Sequence, residues 1–370
     1  MPRISRWILA GSLLFVLIAS VLFVRRYFSN QLEKRLLDKE VVPLRIELKD
    51  QGRTELLAQL VLYPEQKWAA LYFINTDAHY PDSTKPISDQ IFSDNFEKYS
   101  GLKSMYSIEF SRSGSARLID LAEGLPMYLE AVQVFPNAQF QYPTGRSVFS
   151  GEQAMEYALS RRMQTGQEHL NGLERTRRMQ SIILSCFWNA DKIAARIHAK
   201  ELRELAASLV ESDLTGAELL SLAAFLSDSR VSVLEVPLEV GLDRKLTVKE
   251  KRARTVYGEF SDNLRSGRLL KDPFSLEVLN GTEVGGLARR VKQFLQDRGI
   301  LVLNADNYPI KPVPKSVILV RAGRSSLGTQ LMEMTALPRE NVFFDRSTQD
   351  VDVTLLLGQD FDIKKLQVSE

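Results

Sequence analysis

Cysteine is nearly absent from this sequence: Cys186 stands alone, so no disulfide can form within the chain. Histidine is almost as scarce. His79, His169 and His198 are scattered too widely for the ligand spacings of zinc sites. Neither charge dominates, with 48 Lys and Arg against 46 Asp and Glu, so no broad basic field argues for nucleic acid. A serine-nucleophile elbow, a G-x-G-x-x-G turn and a P-loop lysine are all missing. A long apolar run occurs once, from Trp7 to Val24: 18 residues without a charge. That is close to the roughly 20 needed to span a bilayer. The run continues into Arg25-Arg26 without a small-residue cleavage site, which predicts an uncleaved anchor. Basic residues flank both ends, so charge alone leaves the orientation open.

Arginine, in contrast, is concentrated between two helical patterns within Phe149–Asn189. Ser150 and Gln153 form an S-x-x-Q capping box, a helix start signal. On that helix Ala154, Tyr157, Ala158 and Arg161 fall at i, i+3, i+4 and i+7 and share a face, while Arg162 projects elsewhere. A second helix carries Arg175, Met179, Ile182, Ile183 and Cys186 as one stripe, with Arg178 at its edge. A guanidinium on a core-facing stripe needs an anionic partner, because an unpaired buried charge is very costly. A phosphate or pyrophosphate suits its planar fork. Protein carboxylates, or water at the helix ends, would serve as well. Cys186, on the same apolar face, reads as a packed core thiol.

The chain of 370 residues has room for an anchor and about two domains. Residues 27–41 read as a polar, amphipathic spacer. From Val42 three apolar runs of strand length follow, 41–48, 54–64 and 68–76, and 105–110 is a fourth. A helix is expected over Ala116–Glu123, ending at Gly124. Residues 190–210 are helical in pattern, and Thr215 with Glu218 caps another helix through Leu226. The basic run 244–254 predicts a solvated surface. Strands mixed with helices in this order predict an α/β fold, an α-β-α sandwich with helices on both faces. The texture changes around Leu270–Pro273, where a domain boundary is placed. Beyond it the order is β-α-β-β-α-β, a small α+β domain. Its first turn, Asn280–Gly286, reads as structural rather than as an anion cradle. The expected division is 1–26 for tip and anchor, 27–41 spacer, 42–270 main domain, 271–362 second domain and 363–370 tail.

Several segments together resemble the LytR-CpsA-Psr (LCP) family of cell-envelope proteins with a LytR-type C-terminal domain. Phe149-Ser-Gly-Glu-Gln-Ala-Met-Glu-Tyr157 is similar to the family's LnGeqALaY segment, and Arg175-Thr-Arg-Arg178-Met-Gln180 to its RixRQQ. Ile108-Glu-Phe110 and Leu118–Gly124 resemble its vdf…lVDalGG, while Leu276–Thr282, Gly286–Ala288 and Asp352–Phe361 resemble the C-terminal pattern. The resemblance covers about 42–362. It implies an LCP-like sandwich, an N-terminus in the cytoplasm, one transmembrane span and an extracytoplasmic bulk. It also implies transfer of a glycopolymer from a polyprenyl-pyrophosphate carrier to peptidoglycan. By that resemblance Arg53, Arg161, Arg162, Arg175 and Arg178 bind phosphate and Gln180 is family-matched. Glu55 and Asp77 are the catalytic carboxylates and hold Mg²⁺. Polyprenyl (pyro)phosphate is the bound substrate, the C-terminal domain has room for a protein partner, and no nucleic acid is implied.

The departures from the pattern fall at the charged positions. Glu55 stands where the family has aspartate, Thr76 and Leu159 where it has arginine, and Gly172-Leu-Glu174 before Arg175 loses an aspartate and a glycine. Each lost arginine removes a charge-assisted contact worth roughly 1.5–3 kcal/mol. The resemblance therefore implies a divergent member with reduced activity. The alternative is a non-catalytic envelope scaffold that binds polyprenyl lipid, peptidoglycan or a protein.

Overall fold

The computed structural model describes residues 30–81, 83–89, 96–161, 168–190, 204–205, 208–241, 244–270, 273–346 and 350–366. The charge-free stretch 7–24, Arg162 and most of the helical pattern over 190–210 lie outside them. Among the described residues no helix is long and apolar enough to cross a membrane.

The three apolar runs form an antiparallel meander, β1 (Val42–Asp50), β2 (Arg53–Tyr63) and β3 (Trp68–Ile74), and β4 (Tyr106–Ser111) pairs parallel with β1. A separate hairpin joins β5 (Leu125–Leu129) to β6 (Gly145–Phe149). The short β7 (Val210–Ser212) and the parallel β8 (Arg230–Glu235) complete a six-stranded sheet in the order β7-β4-β1-β2-β3-β8. Its central strands are apolar on both faces, so they read as continuous runs rather than alternations. On β2, Leu56, Ala58, Leu60 and Leu62 enter one core, and Leu57, Val61 and Tyr63 enter the other.

Helices cover both faces, as the sequence predicts. The first face carries α3 (Arg112–Leu121), α4 (Gly151–Leu159), α5 (Glu168–Trp188) and α6 (Gly216–Ser227). The second carries α2 (Phe96–Ser100) and α7 (Glu250–Arg265), following the small hairpin of β9 (Leu238–Val240) and β10 (Leu246–Val248). The basic run 244–254 is thus partly the start of α7. Ala253, Tyr257, Phe260 and Leu264 turn inward at helical spacing, and Tyr257 stacks on Tyr72 with ring centroids 3.6 Å apart. Nor is the spacer a free linker. Asn30 caps α1 (Gln31–Leu37), and Leu32 is fully buried against α6.

The second domain holds β11 (Ser275–Asn280), α8 (Leu287–Gln296), β12 (Leu301–Asn307), β13 (Val317–Val320), α9 (Ser325–Thr335), β14 (Val342–Phe344) and β15 (Val353–Leu357). The strand order is β12-β11-β15-β13-β14, with β13 and β15 the antiparallel pair. The expected β-α-β-β-α-β is present with one strand more, the three-residue β14. The turn after β11 is structural: the Asn280 side chain accepts from the Thr282 backbone N–H at 3.0 Å and donates to the Val284 carbonyl at 2.9 Å.

The two domains are fastened together. The Val233 N–H donates to the Gly323 carbonyl at 2.6 Å, and the Val231 N–H to Ser325 Oγ at 2.8 Å. A Cβ on Gly323 would lie 2.2 Å from the Val233 carbonyl oxygen, a backbone atom that cannot swing aside. Gly323→Ala is therefore expected to pry this contact open at about 1–3 kcal/mol. A lowered urea midpoint would show it, and an unchanged one would contradict the close approach.

Candidate functional site

The charged site lies where β2 begins, β3 ends and α5 passes over them. After Ile74 the chain turns through Asn75, Thr76 and Asp77, with the Asp77 N–H donating to Asn75 Oδ1 at 2.9 Å. Such an Asx turn points the Asp77 side chain back toward the helix. The helix comes in closely because it presents Gly172 there; a Cβ at that position would lie 2.7 Å from Asp77 Oδ2.

One turn further, Arg175 enters the site with only 2% of its side chain exposed. Its Nη1 donates to the Glu55 carboxylate and, at 3.3 Å, to the Glu55 carbonyl. Its Nη2 donates to Thr76 Oγ1 at 2.8 Å and to Asp77 Oδ2 at 3.1 Å. Arg161 closes on Asp77 from outside as a two-pronged pair, 2.9 Å to Oδ1 and 3.1 Å to Oδ2, and remains 42% exposed. Among the described residues two guanidinia and two carboxylates thus balance. Two buried donors in this cluster, Arg175 Nε and Asn75 Nδ2, have no hydrogen-bond partner among the described residues. Unmet buried donors are costly and mark a place for an anion or a water.

Burial raises the Asp77 carboxyl, but the Arg175 and Arg161 guanidinia more than reverse it and leave it below the usual carboxylate range. The sign for stability follows from a depressed folded value. The contribution is fully present above the unfolded carboxyl value, about 3.9, and is lost as pH falls through the folded one. Asp77→Asn should therefore lower the urea midpoint at neutral pH and flatten its acid limb below about pH 4. An acid limb as steep as that of the wild type would contradict the pairing.

The structure thus brings Glu55, Asp77, Arg161 and Arg175 together, and gives the other expected residues different partners. Arg53 is exposed, 3.2 Å from Ser88 Oγ and 3.3 Å from Asp89. Arg178 is buried, but its Nε donates to the Tyr157 carbonyl at 2.7 Å and its Nη2 to the Ser160 carbonyl. It holds the last turn of α4 closed rather than facing an open site. The Phe135 ring lies 4.8 Å from its guanidinium. Gln180 is fully buried and accepts from Arg346 Nε of the second domain at 2.6 Å. Arg161 follows the end of α4 instead of lying on it, since the helix stops at Leu159. Sequence reasoning missed Asn75 and Gly172; an Asn-x-Asp turn after a buried strand was the available signal.

Glu55 and Asp77, as arranged, do not fit Mg²⁺. Arg175 lies between them and is bonded to both, so a divalent cation would meet a positive charge inside its own ligand shell. Among the described residues no group of three or more carboxylate, histidine or cysteine side chains could hold a metal ion.

A cavity of about 480 Å³ opens between the first face of the sheet and α3, α5 and α6. The stripe predicted on α5 lines it: Met179, Ile182, Ile183 and Cys186, opposite Leu56 and Leu71. Cys186 therefore borders open space rather than being packed all round. Burial pushes its thiol up to about 12, so it stays neutral. Of the described residues lining the cavity, Glu123 alone is charged. Met179 sits four residues beyond Arg175, a rise of about 6 Å, so charge and cavity occupy successive turns of one helix.

These features define a mixed α/β protein with a balanced arginine–carboxylate cluster at the sheet's end, an apolar cavity beside it and a second α/β domain clamped alongside. Residues 274–361 match the family model LytR_C, described as LytR cell envelope-related transcriptional attenuator. The second domain is thus of the LytR C-terminal type. Among solved structures, TagV of B. subtilis is similar at 15% identity and a TM-score of 0.45, covering 61% of this chain and 98% of that one. A LytR-Csp2A-Psr enzyme from Actinomyces oris gives 13% identity and 0.47, over 59% of this chain and 89% of that one. TagT bound to LIIa-WTA gives 12% and 0.47, over 65% and 96%. No curated protein matches the chain in sequence.

Proposed function

We propose that the protein is a membrane-anchored cell-envelope protein that holds a polyprenyl-linked glycan. The prenyl chain occupies the cavity, and the phosphate or pyrophosphate meets Arg175 and Arg161. The observation that carries this reading is the order of features along α5: a buried guanidinium with an unmet donor, then five cavity-lining residues, then Trp188 against the second domain. A ligand with an anionic head and an aliphatic tail has this sequence of needs. The LytR_C match over 274–361 supports an envelope setting, as does the sequence resemblance of segments within 42–270 to LCP proteins. The N-terminus then lies in the cytoplasm and the described domains outside it.

In this reading the protein moves the glycopolymer from its carrier to peptidoglycan, with reduced activity. An arriving phosphate competes with Glu55 and Asp77 for the two guanidinia. As they turn to it, the Asp77 carboxylate loses the charges that depress it and becomes able to accept the proton of an acceptor hydroxyl. The hydroxyl oxygen bonds to the sugar-linked phosphorus, the bridging P–O bond breaks, and polyprenyl phosphate leaves. Positioning and charge neutralisation dominate such transfers. Among the described residues Arg161 and Arg175 are the guanidinia that meet the carboxylate pair, and Thr76 and Leu159 stand where the resembled family has arginine, which is why turnover is expected to be slow.

A second reading, a non-catalytic scaffold, is favoured by one observation: both carboxylates are already neutralised by arginine. The test is transfer from a polyprenyl-pyrophosphoryl glycan to peptidoglycan by Glu55→Gln and Asp77→Asn. The transferase reading predicts loss of at least about 100-fold for Asp77→Asn, the lower range for a general base. Undiminished envelope function in both variants would replace it with the scaffold.

A further inference from the structure

The helix α6 is nearly free of charge. Its 12 residues include one charged side chain, Glu218, which is buried, closes the cap on Thr215 and accepts the Leu32 N–H. Leu222 and Leu226 face the cavity. The opposite side, formed by Ala217, Leu220, Ala223 and Ala224 with Ser227 at its last turn, is exposed and carries no charge, with Leu220 42% open to solvent. A surface helix in water normally carries charge on that side. Twelve residues rise about 18 Å, short of the roughly 30 Å hydrocarbon core, so this helix can meet lipid only along the surface.

The chain leading to α6 says which surface it meets. Asn30 Nδ2 donates to Ser221 Oγ at 2.9 Å, and Leu32 is buried beside it. Residues 25–29 alone separate Asn30 from Val24, where the charge-free stretch ends. Fully extended, that connection reaches about 20 Å. With 7–24 as the span expected from its sequence, Asn30 is held within that distance of the bilayer and Ser221 one side-chain hydrogen bond beyond it. Leu37, at the far end of α1, is also 48% exposed.

We infer that the exposed face of α6 rests on the lipid bilayer, and that the cavity behind it is filled from that side. The helix is the wall between membrane and cavity. The inference deepens the proposed function and rests on it for the anchor at 7–24 and for the cavity's occupant. The contact with the bilayer stands on α6 and its tether.

The test uses the full-length chain with Cys186→Ser, reconstituted into vesicles of phosphatidylethanolamine and phosphatidylglycerol. An NBD fluorophore is placed at Ala224→Cys, or at Glu259→Cys on the exposed side of α7 across the sheet. A nitroxide near the headgroup end of the acyl chains should quench position 224 at least about twofold more strongly than 259, as for a helix seated in the interface. Equal quenching at the two positions would overturn the inference. Concentration-dependent cross-linking between copies through Ala224→Cys, without quenching, would also overturn it and assign the face to a second copy. The quenching does not depend on Arg175. If Arg175→Ala keeps its lipid while position 224 is still quenched, the phosphate reading fails and the membrane contact stands.

Discussion

Arg175→Ala is expected to destabilise the protein by about 3–5 kcal/mol and to abolish retention of a phosphorylated lipid. The guanidinium is 2% exposed and is bonded to Glu55, Thr76 and Asp77 at once. Deleting it leaves two carboxylates facing each other across a gap, with Arg161 able to answer only one. The expected loss is the penalty for unpaired charge rather than the worth of the pair. The triple variant with Glu55→Gln and Asp77→Asn should therefore recover much of the stability and none of the phosphate binding. Urea midpoints and bound phosphate, measured on both variants, check this. If stability fails to recover in the triple variant, packing of the arginine stem rather than charge balance holds the site.

The second large effect concerns the cavity. Ile183→Trp with Cys186→Phe places two aromatic rings into about 480 Å³ of apolar space from consecutive turns of α5. Each methylene kept out of the cavity forfeits about 0.8 kcal/mol, so excluding two reduces lipid affinity about tenfold, and excluding a chain abolishes it. Stability should hold or rise, because the rings fill a void instead of opening one. Bound lipid per protein, read beside thermal stability, separates this outcome from simple misfolding. Full lipid occupancy in the filled variant would mean that the ligand's tail lies elsewhere.

Much of the framework was legible because it is periodic. The three apolar runs became β1, β2 and β3 within one or two residues at most ends, and the Thr215–Glu218 capping box opens α6 as read. The stripe Met179–Ile182–Ile183–Cys186 was legible as a face, and that face lines the cavity. Periodicity does not say what a face meets. Arg178, at the edge of that stripe, holds carbonyls at the end of α4, and Gln180 holds Arg346 of the other domain. Both are long-range choices that spacing cannot encode. The three residues of β14 are a strand because β13 lies beside them, and α7 was hidden because its charged face dominates a short window. The pairing of Glu55 with Asp77 through Arg175 needed the fold, since 120 positions separate Glu55 from Arg175.

The most direct measurement is mass spectrometry of lipid extracted from the purified full-length protein, wild type beside Ile183→Trp/Cys186→Phe. The account predicts a polyprenyl phosphate or pyrophosphate in the wild type, and its loss from the cavity-filled variant. A wild-type protein that carries no phosphorylated lipid, even after incubation with polyprenyl phosphate, would contradict it.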